Sequence, residues 1–175
     1  MAIALPRDAR YSIPAPDAEP VLMDIARQDR GFNLGHFLTG AQEAFVMIVE
    51  AFAAGNRELL KPLLAPDLYS AFDRAISERE SLGHTALTEI HAIRKVEITD
   101  LRLTDKVASI TLRFVADESS ATRDAAGTVV EGNPDRVRET IDIWVLARNL
   151  RSKDPTWFLQ ATREEDSGAA PLPSA

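Results

Sequence analysis

Asp142 is a carboxylate among the apolar alternation of the strongest such stretch of the chain, Arg138 to Arg148, and His91 stands in an earlier alternating stretch. An acid and an imidazole on inward faces of one sheet could work as general base and partner in a proton transfer. The other reading pairs Asp142 with an arginine across the sheet, Arg148 or Arg113, or leaves it solvated on the outer face. His84 follows a helix-stopping glycine and is expected to be exposed. Further chemistry is scarce. The 3 histidines are scattered, and no H-E-x-x-H, paired-histidine or EF-hand spacing supports a metal site. There is no Gly-rich phosphate loop and no G-x-S-x-G elbow. Cysteine is absent, which excludes disulfides, thiol catalysis and zinc–thiolate sites. The residues therefore assign no catalytic group, no cofactor and no metal, and the chain reads as a non-enzyme.

The elements that would position these residues come in two blocks. From Asp29 to Gly83 the pattern is helical. Asn33 is a good N-cap, with Phe32 and Phe37 placed as a hydrophobic staple. Leu34, Phe37, Leu38, Ala41, Phe45, Ile48 and Phe52 recur at three- and four-residue spacing, and Gly55 ends that helix. Pro62 demands a short or kinked element, and Pro66 suits the first position of another helix ending at Gly83. Beyond Gly83 the period becomes two. Leu87 to Leu103 reads as one bent strand or two short ones, and Val107 to Ala116 as a strand. Thr122 to Val130 reads as a hairpin tip with Gly127 at positive φ, Arg138 to Arg148 as a further strand and Trp157 to Thr162 as the last. Helices first and a meandering antiparallel sheet second define an α+β domain.

Composition narrows the field of partners. The 175 residues suit one domain with tails: a flexible or extended tail over 1–20, the domain over 21–163 and a flexible tail over 164–175. Net charge is -7, which argues against a nucleic-acid surface. No uninterrupted apolar run is long enough to span a bilayer. The first twenty residues lack the amphipathic, acid-free pattern of a mitochondrial presequence.

The run F-N-x-x-x-F-L-x-G-A-x-x-A-F-x-M-I-V-E-A-F-A-x-G-N, with L-x-P-L-L and L-Y-x-A-F after it, carries a family resemblance. So do A-T-R-D-x-x-G-x-V-V-E-G-x-P from Ala121 and T-x-D-I-W-V-L-A-R-N-L-R-S-x-D-P-x-W-F-L from Thr140. Over residues 30–163 the chain resembles the C-terminal domain of the forty-four-kilodalton subunit of the mitochondrial inner-membrane import translocase and its bacterial homologues. The resemblance implies a curved antiparallel sheet wrapped around N-terminal helices, a cone similar to the nuclear transport factor 2-like fold. It also implies a non-enzymatic peripheral inner-membrane adaptor that binds lipid, a partner or a translocating polypeptide and helps assemble membrane machinery. The alternative is a small-molecule isomerase or dehydratase of the cone fold using Asp142. Bacterial relatives commonly carry an N-terminal membrane-spanning segment; this chain departs from that, as either a trimmed piece or a peripheral member. The expected location is the bacterial inner membrane, peripheral on its cytoplasmic face, or the cytoplasm where no anchor exists.

Two further groups bear on that role. Phe45, Phe52, Phe72, Phe114, Trp144 and Trp157 either line an apolar pocket for an acyl chain or peptide, or fill the core. Val21, Leu22 and Ile25 form one side of a short helix within Val21–Arg30 that either meets the membrane or packs on its own domain; its balanced charges favour the second. Arg94-Lys95 and Arg151 with Lys153 are the densest basic sites, suited to anionic lipid headgroups or to solvated turns alike.

Overall fold

The computed structural model describes residues 3–166 and 172–174. Among these the elements run β1 (Tyr11–Ser12), α1 (Ala18–Gln28), α2 (Leu34–Ala54), α3 (Arg57–Leu60), a 3-10 turn (Lys61–Leu63) and α4 (Pro66–Ser81). Four long strands follow, β2 (Thr85–Thr104), β3 (Val107–Arg123), β4 (Val129–Asn149) and β5 (Phe158–Asp166). They form one sheet in the order β1-β2-β3-β4-β5, with β1 parallel to β2 and every other pair antiparallel. This is the curved α+β cone that the sequence implies.

Local signals set the helix ends where the sequence places them. The Asn33 side chain accepts a hydrogen bond from the His36 amide at 3.0 Å, and Phe32 and Phe37 meet at 6.3 Å. Gly55, at φ 71°, closes α2 with its amide on the carbonyls of Ala51 and Phe52. The amide that Pro62 lacks and its fixed φ convert the end of α3 into a 3-10 turn. α2 has the length and composition of a membrane-crossing helix, with mean hydropathy 1.4. Here it is the core helix. Phe45 stacks on Phe114 of β3 at 4.4 Å and tilts against Trp144 of β4 at 4.8 Å.

Curvature comes from bulges. β2 shifts register against β3 at three points. β4 carries a larger irregularity: Ser120 pairs with Asn133 but Glu118 pairs with Arg138, so Pro134–Val137 bow out opposite Ser119 alone. A proline that cannot donate to the ladder favours such a break. Just before it, Gly132 lies at φ 76°, and a Cβ there would stand 2.2 Å from the Ser120 carbonyl oxygen. Only glycine fits.

Both tails differ from the sequence reading where the structure describes them. Tyr11–Ser12 pairs with Val96–Glu97, the Ala15 amide reaches the Ile98 carbonyl at 3.1 Å, and Ile3, Leu5 and Ile13 pack on the core. Apolar residues between the prolines give this segment something to bury, so it is docked rather than loose. At the other end β5 continues through Asp166. The Thr162 hydroxyl donates to the Pro173 carbonyl at 3.1 Å, and the Ser174 hydroxyl donates to the Thr162 carbonyl at 3.0 Å. The part of the expected C-terminal tail at 167–171 and 175 lies outside the described residues.

Candidate functional site

An apolar recess opens where the start of α2 meets the connection from β4 to β5. It is a groove of about 420 Å³ walled by Phe32, Phe37, Ala44, Leu63, Leu146 and Trp157, with Asp29, His36 and Arg148 at its polar end. Phe37 meets Trp157 edge-on at 4.9 Å, and Phe32 meets Trp157 at 6.2 Å. Gly40, Ala41 and Ala44 keep the α2 side of the wall low. A second hollow of about 420 Å³ lies on the far side of Arg148, between Lys61, Leu64, Val107 and Phe158.

Arg148 organises this corner. Its guanidinium pairs with Asp29 just past the C-terminus of α1, with its side chain only 10% exposed. The same guanidinium donates to the carbonyls of Asp154 at 3.2 Å and Ser152 at 3.4 Å. Asp154 in turn accepts from the Thr156 amide at 3.0 Å, and its bonds to Thr156 hold its carboxyl below the usual range. The loop carrying Arg151, Lys153 and Trp157 is thereby fixed as one piece, with two exposed cations on the chain that leads to the groove's aromatic wall.

The aromatics divide. Phe45, Phe72, Phe114 and Trp144 are fully buried, and Phe52 nearly so; Phe52 packs against Phe72 at 5.1 Å and Phe114 against Trp144 at 5.5 Å. These five fill the core, because curvature brings helix and sheet rings into direct contact. Trp157 alone of the six lines the groove, joined by Phe32 and Phe37, which the sequence shows as a staple. Leu22 is 2% exposed and Ile25 0%, with Val21 packed beside them, so α1 spends its apolar side on its own domain and cannot offer it to a membrane in this conformation. Arg94 and Lys95 lie on β2, remote in the strand order from the basic loop, and Arg94 is engaged by Asp117 at 2.6 Å.

Asp142 adopts neither expected pairing. His91 is hydrogen-bonded to Ser119 at 2.8 Å, Arg148 to Asp29, and Arg113 to Glu97 at 2.5 Å and Glu165 at 2.8 Å on the outer face. Asp142 instead points inward in phase with Trp144, 8% exposed, opposite Phe114 on β3 and Glu164 on β5. Glu118 shares this face, accepting from the Thr140 hydroxyl at 3.3 Å. Burial first, then the neighbouring charges of Glu118 and Glu164, push the Asp142 carboxyl up to about 7. Burial raises Glu118 as well. Continuing the alternation Phe114, Ala116 by one step would have found Glu118; the bowed segment in β4 hides its closeness to Asp142.

A meandering sheet curved around N-terminal helices places the protein in the α+β class. The chain belongs to the Tim44-like domain family, whose model matches residues 18–164. It is 26% identical to the mitochondrial import inner membrane translocase subunit TIM44 of Mus musculus over 136 residues, 77% of this chain and 30% of that protein. The same identity and coverage hold for the Homo sapiens subunit. The probable subunit tin-44 of Caenorhabditis elegans is 26% identical over 158 residues, 88% of this chain and 37% of that protein. The chain thus spans about a third of the length of these relatives. The solved intermembrane-space region of the chloroplast protein ARC6 superposes with a TM-score of 0.48 at 13% identity, covering 88% of this chain and 100% of that one. The expected bacterial inner-membrane location is corrected: these relatives are all mitochondrial inner-membrane subunits and point to the mitochondrion.

Proposed function

We propose that this domain is a non-enzymatic, translocase-associated adaptor at the mitochondrial inner membrane, holding an acyl chain of an anionic lipid in the Phe32–Phe37–Trp157 groove. The family supports the translocase association, since its curated relatives are import subunits. The observation that carries the lipid reading is the juxtaposition of an apolar groove with Arg151 and Lys153 on the loop that supplies Trp157. Burying a CH₂ group is worth about 0.8 kcal/mol, and a cation near an anionic surface about 1 kcal/mol. A short stretch of acyl chain plus two cations therefore gives weak, reversible, salt-sensitive attachment, as suits an adaptor held also by protein contacts.

Bromine on the acyl chain tests the groove directly, because the two tryptophans differ. Trp157 lines it and Trp144 is sealed in the core. Vesicles of brominated cardiolipin should quench the fluorescence of a Trp144→Phe protein, which reports Trp157, and leave that of a Trp157→Phe protein unchanged. Equal quenching of both, or of neither, removes the groove as the lipid site.

A further inference from the structure

The chain is acidic overall, yet three of its four lysines gather at one end of the sheet. Lys106 sits in the turn between β2 and β3, and its carbonyl accepts from the Leu150 amide at 2.7 Å. That bond ties the turn to the loop carrying Arg151 and Lys153. Val107 pairs with Asn149 in the same corner, and Lys61 meets both residues around the second hollow. Among the described residues, none of Lys61, Lys106, Arg151 and Lys153 is held in an ion pair. The acids in that turn and loop are Asp105 and Asp154, and Asp154 already accepts from Thr156. The hollow itself is walled by Leu64, Pro66, Val107, Ala147 and Phe158, with no carboxylate among its described walls. Val107 is 45% exposed there.

Side chains alternate across β4 and β5, so Leu146 and Trp157 line the groove while Ala147 and Phe158 line the hollow. The two recesses therefore lie on opposite faces of the sheet and share one end. A flat surface meets both only by approaching that end. We infer that the β2–β3 turn, the second hollow and the loop before β5 together form the face that seats on an anionic bilayer. The inference rests on the lipid reading of the groove and adds the orientation to it. Lys61 and Lys106 extend the reach of Arg151 and Lys153 for phosphates, and Val107 and Phe158 give acyl chains a second apolar contact. Cations drawn from three separate segments line an edge rather than converge on one point, as suits a surface of many headgroups. β2 then leads away from the membrane and carries Leu87 to its far side.

The chain has no cysteine, so single cysteines can carry an environment-sensitive NBD label. Val107→Cys reports the inferred face, and Leu87→Cys, exposed near the other end of β2, reports the far side. Each labelled chain would be mixed with phosphatidylcholine vesicles and with phosphatidylcholine–cardiolipin vesicles. The label at 107 should brighten and shift to the blue only with cardiolipin, and the label at 87 should not change. Lys61→Ala/Lys106→Ala should lower vesicle affinity about thirtyfold, at about fivefold per cation, with thermal unfolding unchanged. Quenching of Trp157 by brominated cardiolipin with no shift at 107 would leave the groove reading standing and overturn this face. Neither response would overturn both. Equal shifts at 107 and 87 would also overturn the orientation. A shift at 107 on concentrating the protein without vesicles would assign the hollow to a second copy instead.

Discussion

Asp142 shows how one side chain couples the fold to pH. Its folded pKa, about 7, lies above that of an unfolded aspartate, so the folded state holds the proton more tightly. Its contribution to stability is fully present below about pH 4 and is lost as pH rises through about 7. The whole effect amounts to roughly 4 kcal/mol at most, at about 1.4 kcal/mol per pH unit. Asp142→Asn removes the charge and keeps the shape. It should therefore raise stability over the native chain by a few kcal/mol at pH 8 and by much less at pH 5, read as paired urea midpoints. Equal midpoints at pH 8 would show that the buried carboxylate costs nothing. The chemistry of this position was only half visible from the sequence. Its strand and phase follow from the alternation around Trp144, but its neighbours depend on a register that Pro134–Val137 displaces.

Secondary-structure boundaries follow from residues that act locally. Asn33, Gly55, Pro66 and Gly127 act within a few residues of themselves, and each ends or turns an element where its chemistry demands. Asn33→Ala should cost about 1 kcal/mol through loss of the cap, measured by thermal unfolding. Gly132 depends instead on a distant backbone, which no local pattern shows. Gly132→Ala must push β4 away from Ser120 and should destabilise by about 2 kcal/mol or more. Faster amide exchange at 118–123 and 129–133 would locate the damage, and unchanged exchange there would contradict the geometry. The loop after β4 depends on one contact. Asp29→Ala leaves the Arg148 guanidinium buried without its partner, which typically costs about 3 kcal/mol or more. Limited proteolysis should then cut within 150–156 before any other part of the domain opens.

Over the whole molecule, the groove was the least legible feature. Its polar end joins Asp29 to Arg148 across 119 positions of sequence, and its walls come from α2, the 3-10 turn, β4 and the loop before β5. Large aromatics at helical and strand spacing look the same whether they fill a core or line a recess, which is why five of the six expected at a pocket are packed inside. The docked N-terminal segment was hidden for a related reason: prolines mark loose chain, yet Ile3, Leu5 and Ile13 among them find the core. Flotation decides whether the groove and its basic loop attach the domain to lipid. The intact chain, Trp157→Ala and the double variant Arg151→Glu/Lys153→Glu would be spun with neutral and with cardiolipin-rich vesicles at low and high salt. The intact chain should float only with cardiolipin, less at high salt, and both variants should stay largely at the bottom. Flotation of all three alike, or of none, would rule out lipid attachment through this groove.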